Sequence, residues 1–177
     1  LGQAKQKNVA PHIFLQNAAI GACARGRQWA WALFLFHDMR MCNLQPDAVT
    51  YGAAVSACGR SWRWETSIHL LDEMGCSQLG PNLIACSAAI SACGHGQQWP
   101  WALWLLAYAV QICLALDVIA YNAAITACEK GQQWERALSV LGVAQLRSLA
   151  ASAVTFAAAI SACEKGKQWQ KALSLLA

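Results

Sequence analysis

One tryptophan recurs every 35 residues, at Trp29, Trp64, Trp99, Trp134 and Trp169. Cysteine keeps the same step in another phase, at Cys23, Cys58, Cys93, Cys128 and Cys163, and two apolar columns run with it: Ile20, Val55, Ile90, Ile125, Ile160 and Leu33, Ile68, Leu103, Leu138, Leu173. Chance does not produce four columns in one register. A period of this length marks a repeat array, in which each unit is too small to bury its own apolar surface and does so against copies of itself. This accounts for a composition that is 57% hydrophobic and only 12% charged over 177 residues, where globular chains are about a quarter charged. So much apolar surface also excludes a disordered chain.

The phase gives four complete repeats, residues 13–47, 48–82, 83–117 and 118–152, and a truncated fifth at 153–177. Asn8, Val9, Ala10, Pro11 and His12 line up with Asn43, Leu44, Gln45, Pro46 and Asp47, so residues 1–12 are expected to be the tail of a preceding repeat and the chain reads as a fragment. Within a repeat, a segment such as Val118 to Lys130 carries apolar residues at helical spacing and predicts a first helix, A. Glycine follows it as Gly26, Gly96, Gly131 and Gly166, with Ser61 the exception. It is expected to supply the left-handed residue that ends the helix. A second helix, B, opens at the tryptophan. Pro46 and Pro81 are expected to stop it, because proline donates no helical hydrogen bond and disfavours helix in the residue before it. Small residues such as Ala123, Ala124 and Ala127 let the partner helix come close. The fold class predicted is all-α, a solenoid of antiparallel helical hairpins.

Several features have plain structural explanations. The nine cysteines are odd in number and contain no Cys-x-x-Cys pair, so no metal and no disulfide framework is expected, and a reducing compartment is. The in-phase cysteines are expected to be small buried hydrophobes of helix A. Trp101 to Leu116 is apolar apart from Gln111 but shorter than the roughly 18 residues of a membrane span. Trp31, Trp62, Trp101 and Trp104 are expected to pack or lie on the surface. His12, His37, His69 and His95 share no catalytic spacing. The net charge of +4 permits an anionic partner without demanding one.

Ala48, Val49, Thr50 and Tyr51, then Val118, Ile119, Ala120, Tyr121 and Asn122, with Met39, Met74 and the Pro46–Asp47 junction, make the chain resemble the pentatricopeptide-repeat family over essentially its whole length. The resemblance implies a right-handed α-solenoid and single-stranded RNA as partner, with each repeat reading one base through two or three side chains. By that resemblance the base edge is read by the fifth residue of helix A and the last residue of the repeat: Asn17 with Asp47, Gly52 with Asn82, Ser87 with Asp117, and Asn122 with Ser152. The pairs imply U, an undetermined base, G, then C or U. The second residue of helix A packs on the base faces, which implies Phe14, Val49, Ile84, Ile119 and Val154. Leu116 replaces the junction proline in the third repeat, and Ala144, Ala151 and Ser152 depart from the family pattern in the fourth. These two are expected to be degenerate readers.

A cation stands near the end of each helix A, at Arg25, Arg60, His95, Lys130 and Lys165. Arg25, Arg60, Lys130 and Lys165 are candidate phosphate contacts, and the same charges would also favour the helix C-terminal dipole. The function expected is sequence-selective RNA binding in an organelle, the chloroplast or alternatively the mitochondrion. The role there would be RNA processing, mRNA stability or translation, with RNA-processing proteins as further partners. The alternative is a protein-interaction scaffold of the tetratricopeptide kind, whose period of 34 fits less well. No cofactor, membrane or small-molecule substrate is expected. Neither is catalysis, since no deaminase zinc signature and no clustered carboxylates are present.

Overall fold

The structure, a computed structural model, describes residues 2–77, 79–147 and 152–175, with side chains from residue 12 onward. Ala151 lies outside the described residues. Every regular element among those described is a helix: α1 (Gly2–Arg25), α2 (Trp29–Met41), α3 (Ala48–Arg60), α4 (Trp64–Cys76), α5 (Leu83–His95), α6 (Trp99–Gln111), α7 (Val118–Lys130), α8 (Trp134–Leu146), α9 (Ala153–Lys165) and α10 (Trp169–Ser174). Odd-numbered helices are A helices and even-numbered ones B helices. The chain divides into two compact units, residues 1–88 and 89–177. In the first, α1 packs on α2 and α3, and α3 on α2 and α4; in the second, α7 packs on α6, α8 and α9, and α9 on α8 and α10. Residues 2–12 are helical and continuous with α1.

The A helices start where short acceptors stand. Asp47 Oδ1 accepts from the Thr50 amide at 2.8 Å, Asn82 Oδ1 from Ala85 at 2.8 Å, and Asp117 Oδ1 from Ala120 at 3.0 Å, while Ser152 and Thr155 form a reciprocal capping box. Each occupies an otherwise orphaned amide of the first turn.

The A-to-B turn corrects one expectation. The left-handed residue is the one after the glycine: Arg27, Trp62, Gln97, Gln132 and Lys167 have φ between 54° and 62°, whereas Gly131 and Gly166 sit at −81° and −80°. The following amide reaches back to the in-phase cysteine carbonyl, from Gln28 to Cys23 at 2.9 Å, Arg63 to Cys58 at 3.0 Å, Gln98 to Cys93 at 2.9 Å, Gln133 to Cys128 at 2.8 Å and Gln168 to Cys163 at 2.8 Å. This is a Schellman closure repeated five times. Glycine is required there for space. A Cβ on Gly131 would lie 2.3 Å from the Trp99 ring, and one on Gly166 2.3 Å from the Trp134 ring. Trp99 with Gly131, and Trp134 with Gly166, are therefore two halves of one contact between a B helix and the end of the next A helix. Where Ser61 replaces glycine, its Oγ donates to the Arg27 carbonyl at 3.1 Å; the Arg63 guanidinium lies over the Trp29 ring at 4.4 Å, as that of Arg136 lies over Trp99 at 4.9 Å.

The prolines do not stop the B helices. α2 ends at Met41 and α4 at Cys76, each five residues before the proline. Asn43 (φ 55°) and Cys113 (φ 58°) close α2 and α6 with the same left-handed cap, the amides of Leu44 and Leu114 bonding to Met39 O at 3.0 Å and Ala109 O at 2.9 Å. Pro46 and Pro81 lie in the linkers that deliver Asp47 and Asn82.

Successive A helices touch backbone to backbone. A Cβ on Gly59 would lie 2.8 Å from the Ala88 carbonyl oxygen, and one on Gly94 2.9 Å from that of Ala123. Around these contacts Ile20, Val55, Ile90 and Ile125 are fully buried, as are Met39, Met74, Ala124 and Ala127. Cys58, Cys93, Cys128 and Cys163 are buried free thiols, as expected for that column, and Cys23 is half-buried. Burial pushes Cys93 up to about 12 and Cys86 and Cys128 up to about 11. No helix among the described residues is long and apolar enough to cross a membrane.

Two outcomes follow from this packing. Gly131→Ala is expected to cost about 1–3 kcal/mol, the usual range for overpacking, read as a lower urea midpoint. Gly26→Ala, whose Cβ meets nothing nearer than an oxygen of its own turn at 3.5 Å, should move stability by less than about 0.5 kcal/mol; equal midpoints for the two would contradict the contact. Under native conditions near pH 7.5, an aromatic disulfide reagent should modify exposed Cys42, Cys76 and Cys113 rapidly. It should reach Cys58, Cys86, Cys93, Cys128 and Cys163 only on unfolding, and rapid labelling of these would contradict the packing.

Candidate nucleic-acid interface

One apolar side chain per repeat, in the first turn of α3, α5, α7 and α9 and midway along α1, points into solvent. Phe14, Val49, Ile84, Ile119 and Val154 are between 64% and 73% exposed, although Thr50, Ala85, Ala120 and Thr155, adjacent to the last four, are buried. Leaving each in water forgoes roughly 1.5–3 kcal/mol of burial, so the row suits a ligand with apolar faces. The fifth residue of the helix follows three positions later. It therefore shares that side of the helix, and this places Asn17 beside Phe14, Gly52 beside Val49, Ser87 beside Ile84 and Asn122 beside Ile119. The last residue of the repeat arrives as the cap of the next A helix.

In the first unit these residues enclose a defined space. A cleft of about 610 Å³ is lined by Ile13, Phe14, Asn17, Ala18, Asp47 and Val49, with Phe14 and Val49 contributed by successive A helices. At its floor Asn17 Nδ2 donates to both carboxylate oxygens of Asp47, at 3.2 and 3.3 Å, and Asn17 Oδ1 accepts from Thr50 Oγ1 at 2.6 Å. Burial works to raise the Asp47 acid, but hydrogen bonds from Thr50 and Asn17, with one from the Val49 amide, outweigh it and hold the carboxyl below its ordinary value. The group is an anionic acceptor at neutral pH. The cleft thus offers two apolar walls and a floor with an amide donor next to a carboxylate acceptor.

The other pairs differ. Gly52 is buried, and a Cβ there would lie 3.7 Å from Ile84 and 3.8 Å from Asn82 Nδ2. Asn82 is pinned at both ends by backbone, Nδ2 donating to the Ala48 carbonyl at 3.1 Å and Oδ1 accepting from Ala85. It retains one free amide hydrogen. Ser87 Oγ is enclosed without a protein hydrogen bond, and the Asp117 cap uses one carboxylate oxygen. In the second unit Asn122 Oδ1 accepts from Thr155 Oγ1 at 2.6 Å, and Ser152 is exposed.

The cation row is a separate feature. Arg25, Arg60, Lys130 and Lys165 are exposed at the far ends of their A helices, eight residues and so about 12 Å along the axis from the fifth-residue positions. Lys165 is paired with Glu129 at 2.8 Å, and Ser161 Oγ donates to the same carboxylate oxygen at 2.9 Å. The extra tryptophans Trp31, Trp62, Trp101 and Trp104 are exposed. On the B helices Trp31 meets Phe34 edge-on at 5.7 Å, and Trp104 meets Trp101 edge-on at 5.8 Å and stacks on Tyr108 at 5.5 Å. No group of His, Cys, Asp and Glu among the described residues could hold a metal ion.

Two elements of the cleft were not recognised in the sequence, the capping role of the repeat-end residues and the threonines that bond to Asn17 and Asn122. The signal was present, because Asp47–Thr50 and Ser152–Thr155 have the spacing of a reciprocal cap.

A family model described as pentatricopeptide repeat domain matches residues 34–96, and one described as PPR repeat matches residues 17–44. No curated protein matches the chain in sequence. Among solved structures it is similar to the PPR domain of Arabidopsis thaliana protein-only RNase P 1 in complex with tRNA, at 13% identity and TM-score 0.80 over 92% of this chain and 86% of that one. It is also similar to the pentatricopeptide repeat protein PPR10, a maize protein, in complex with an 18-nt psaJ RNA element, at 25% identity and TM-score 0.77 over 93% of this chain. Nuclear proteinaceous RNase P 2 from A. thaliana matches at 12% identity and TM-score 0.81 over 92% of this chain. The chain spans 23% of the PPR10 structure and 37% of the RNase P 2 structure. With the 35-residue hairpins and the capped A helices, these matches identify pentatricopeptide repeats within residues 17–96 of the chain.

Proposed function

We propose that the chain binds single-stranded RNA with base selectivity, one nucleotide to a repeat. The cleft between Phe14 and Val49 carries the reading. Its walls suit the two faces of a base, and Asn17 with Asp47 presents a donor beside an acceptor, the complement of the adjacent acceptor and donor on the edge of uracil. Two of the similar structures contain RNA, tRNA in one and an 18-nt psaJ element in the other. By family resemblance the register runs U, an undetermined base, G, then C or U. The second nucleotide is the weakest, since Gly52 has no side chain and Asn82 keeps one hydrogen. An organellar setting, chloroplast first and mitochondrion second, and a role in RNA processing, stability or translation rest on that resemblance.

Stacking contributes roughly 1–3 kcal/mol per base, and association costs at least about 4 kcal/mol. Four complete repeats should therefore hold RNA weakly and in a salt-dependent way. A second reading, a protein partner, is favoured by the uncharged aromatic surface of α6 formed by Trp101, Trp104 and Tyr108.

Selection from random short RNAs at low salt should return a U-x-G-pyrimidine core. Asp117→Asn is expected to move the third preference from G toward A, and an unchanged preference would remove Asp117 from the reader. Phe14→Ala should weaken binding about five- to hundredfold, the stacking loss of one base. Trp101→Ser with Trp104→Ser should leave RNA affinity within about twofold; the opposite pattern would transfer the nucleic-acid surface to the B helices.

A further inference from the structure

The fifth-residue asparagines are each held by a hydroxyl from the next A helix. Thr50 Oγ1 lies 2.6 Å from Asn17 Oδ1, and Thr155 Oγ1 lies 2.6 Å from Asn122 Oδ1. Both threonines are essentially fully buried, among the few buried polar residues of the chain. Their column reads Thr50, Ala85, Ala120, Thr155, and the fifth residue of the preceding repeat reads Asn17, Gly52, Ser87, Asn122. Threonine stands where the reader is an amide and alanine where it is not.

The proton arrangement follows from the geometry. Each Thr Oγ1 already accepts the cap amide, Asp47 N at 3.1 Å and Ser152 N at 3.1 Å, so its own hydrogen is left to donate. Thr50 also lies 2.8 Å from Asp47 Oδ1, but giving the hydrogen to the carboxylate would leave the hydroxyl and Asn17 oxygens facing each other at 2.6 Å with no proton between them. The hydroxyl therefore donates to the amide oxygen. In this arrangement each amide sets its oxygen on threonine, and at Asn17 its NH₂ lies on the Asp47 side of the cleft. At Asn17 a second group enforces the same choice, because a flipped amide would set its oxygen against the Asp47 carboxylate. Where Asp47 has a carboxylate, the fourth repeat has the Ser152 hydroxyl, which enforces no such polarity.

We propose that Thr50 and Thr155 are specificity-determining positioning residues: each locks the amide of the preceding repeat's asparagine so that it meets a base as a hydrogen-bond donor, and Thr155 does so without a carboxylate to assist it. The role in base choice rests on the RNA-binding reading above, whereas the lock itself is a property of the free protein.

The test uses the full chain and a selected RNA in four versions differing at the nucleotide facing Asn122 or Asn17. Thr155→Val should reduce the preference at the Asn122 nucleotide by about three- to tenfold, the worth of one hydrogen bond, and leave the Asn17 nucleotide unchanged. Thr50→Val should have a smaller effect at its own nucleotide, and Thr155→Ser should restore the wild-type preference. An unchanged preference, equal weakening for all four bases, or failure of the serine variant to rescue would overturn the proposal. Without RNA, the Asn122 side-chain amide resonances should shift and broaden in Thr155→Val and recover in Thr155→Ser; resonances that do not move overturn the lock whatever the RNA result. A lock seen by resonance in a protein that binds no RNA would leave the lock standing and remove the RNA reading.

Discussion

Docking of one hairpin on the next is the interaction on which everything else depends. A single hairpin offers mostly alanine, cysteine and glycine on helix A, too little apolar volume to close a core by itself. The contact succeeds because the sequence clears a path for it. Gly59 and Gly94 let carbonyls of the next A helix approach to distances a methyl group would forbid, and Gly131 and Gly166 receive the tryptophan rings of the preceding B helices. Close approach then brings in the isoleucine, methionine and cysteine columns, whose burial supplies the stabilisation.

The same docking assembles the candidate site. No single repeat contains it: Phe14 and Asn17 come from one hairpin, Asp47 caps the helix of the next, and Val49 and Thr50 follow within its first turn. The cap therefore serves two purposes at once. Asp47 satisfies an orphaned amide of α3 and presents a carboxylate to the cleft, and the same hydrogen bonds that hold the helix start also hold the acid ionised. This gives the end-of-repeat residues a structural reason to be short acceptors quite apart from RNA. What the cap does not explain is the exposed row of Phe14, Val49, Ile84, Ile119 and Val154, and that row gives the ligand argument its weight.

Much of this was legible before any coordinates. The span Val118–Lys130 and the opening of each B helix at its tryptophan follow from apolar spacing, a local property that a linear pattern records faithfully. The exposed row and its neighbours three residues on were legible through resemblance. The purpose of the glycines was not, because the atom that excludes a Cβ belongs to a tryptophan 32 residues away. Nor was the true end of each B helix, since Asn43 and Cys113 adopt a left-handed backbone without a glycine to announce it, and the later prolines drew attention to the wrong position. The threonine column is visible in the sequence, but spacing alone assigns it no role. Its meaning depends on which side chain it faces across a repeat boundary.

Heteronuclear magnetic resonance of the labelled chain, titrated with a short single-stranded RNA, tests the central claim most directly. The account predicts that perturbed resonances fall on Phe14, Asn17, Asp47, Val49, Ile119 and Asn122, on the A helices and their caps. Perturbations confined to Trp31, Trp101, Trp104 and the B helices, with the A-helix row unmoved, would contradict it.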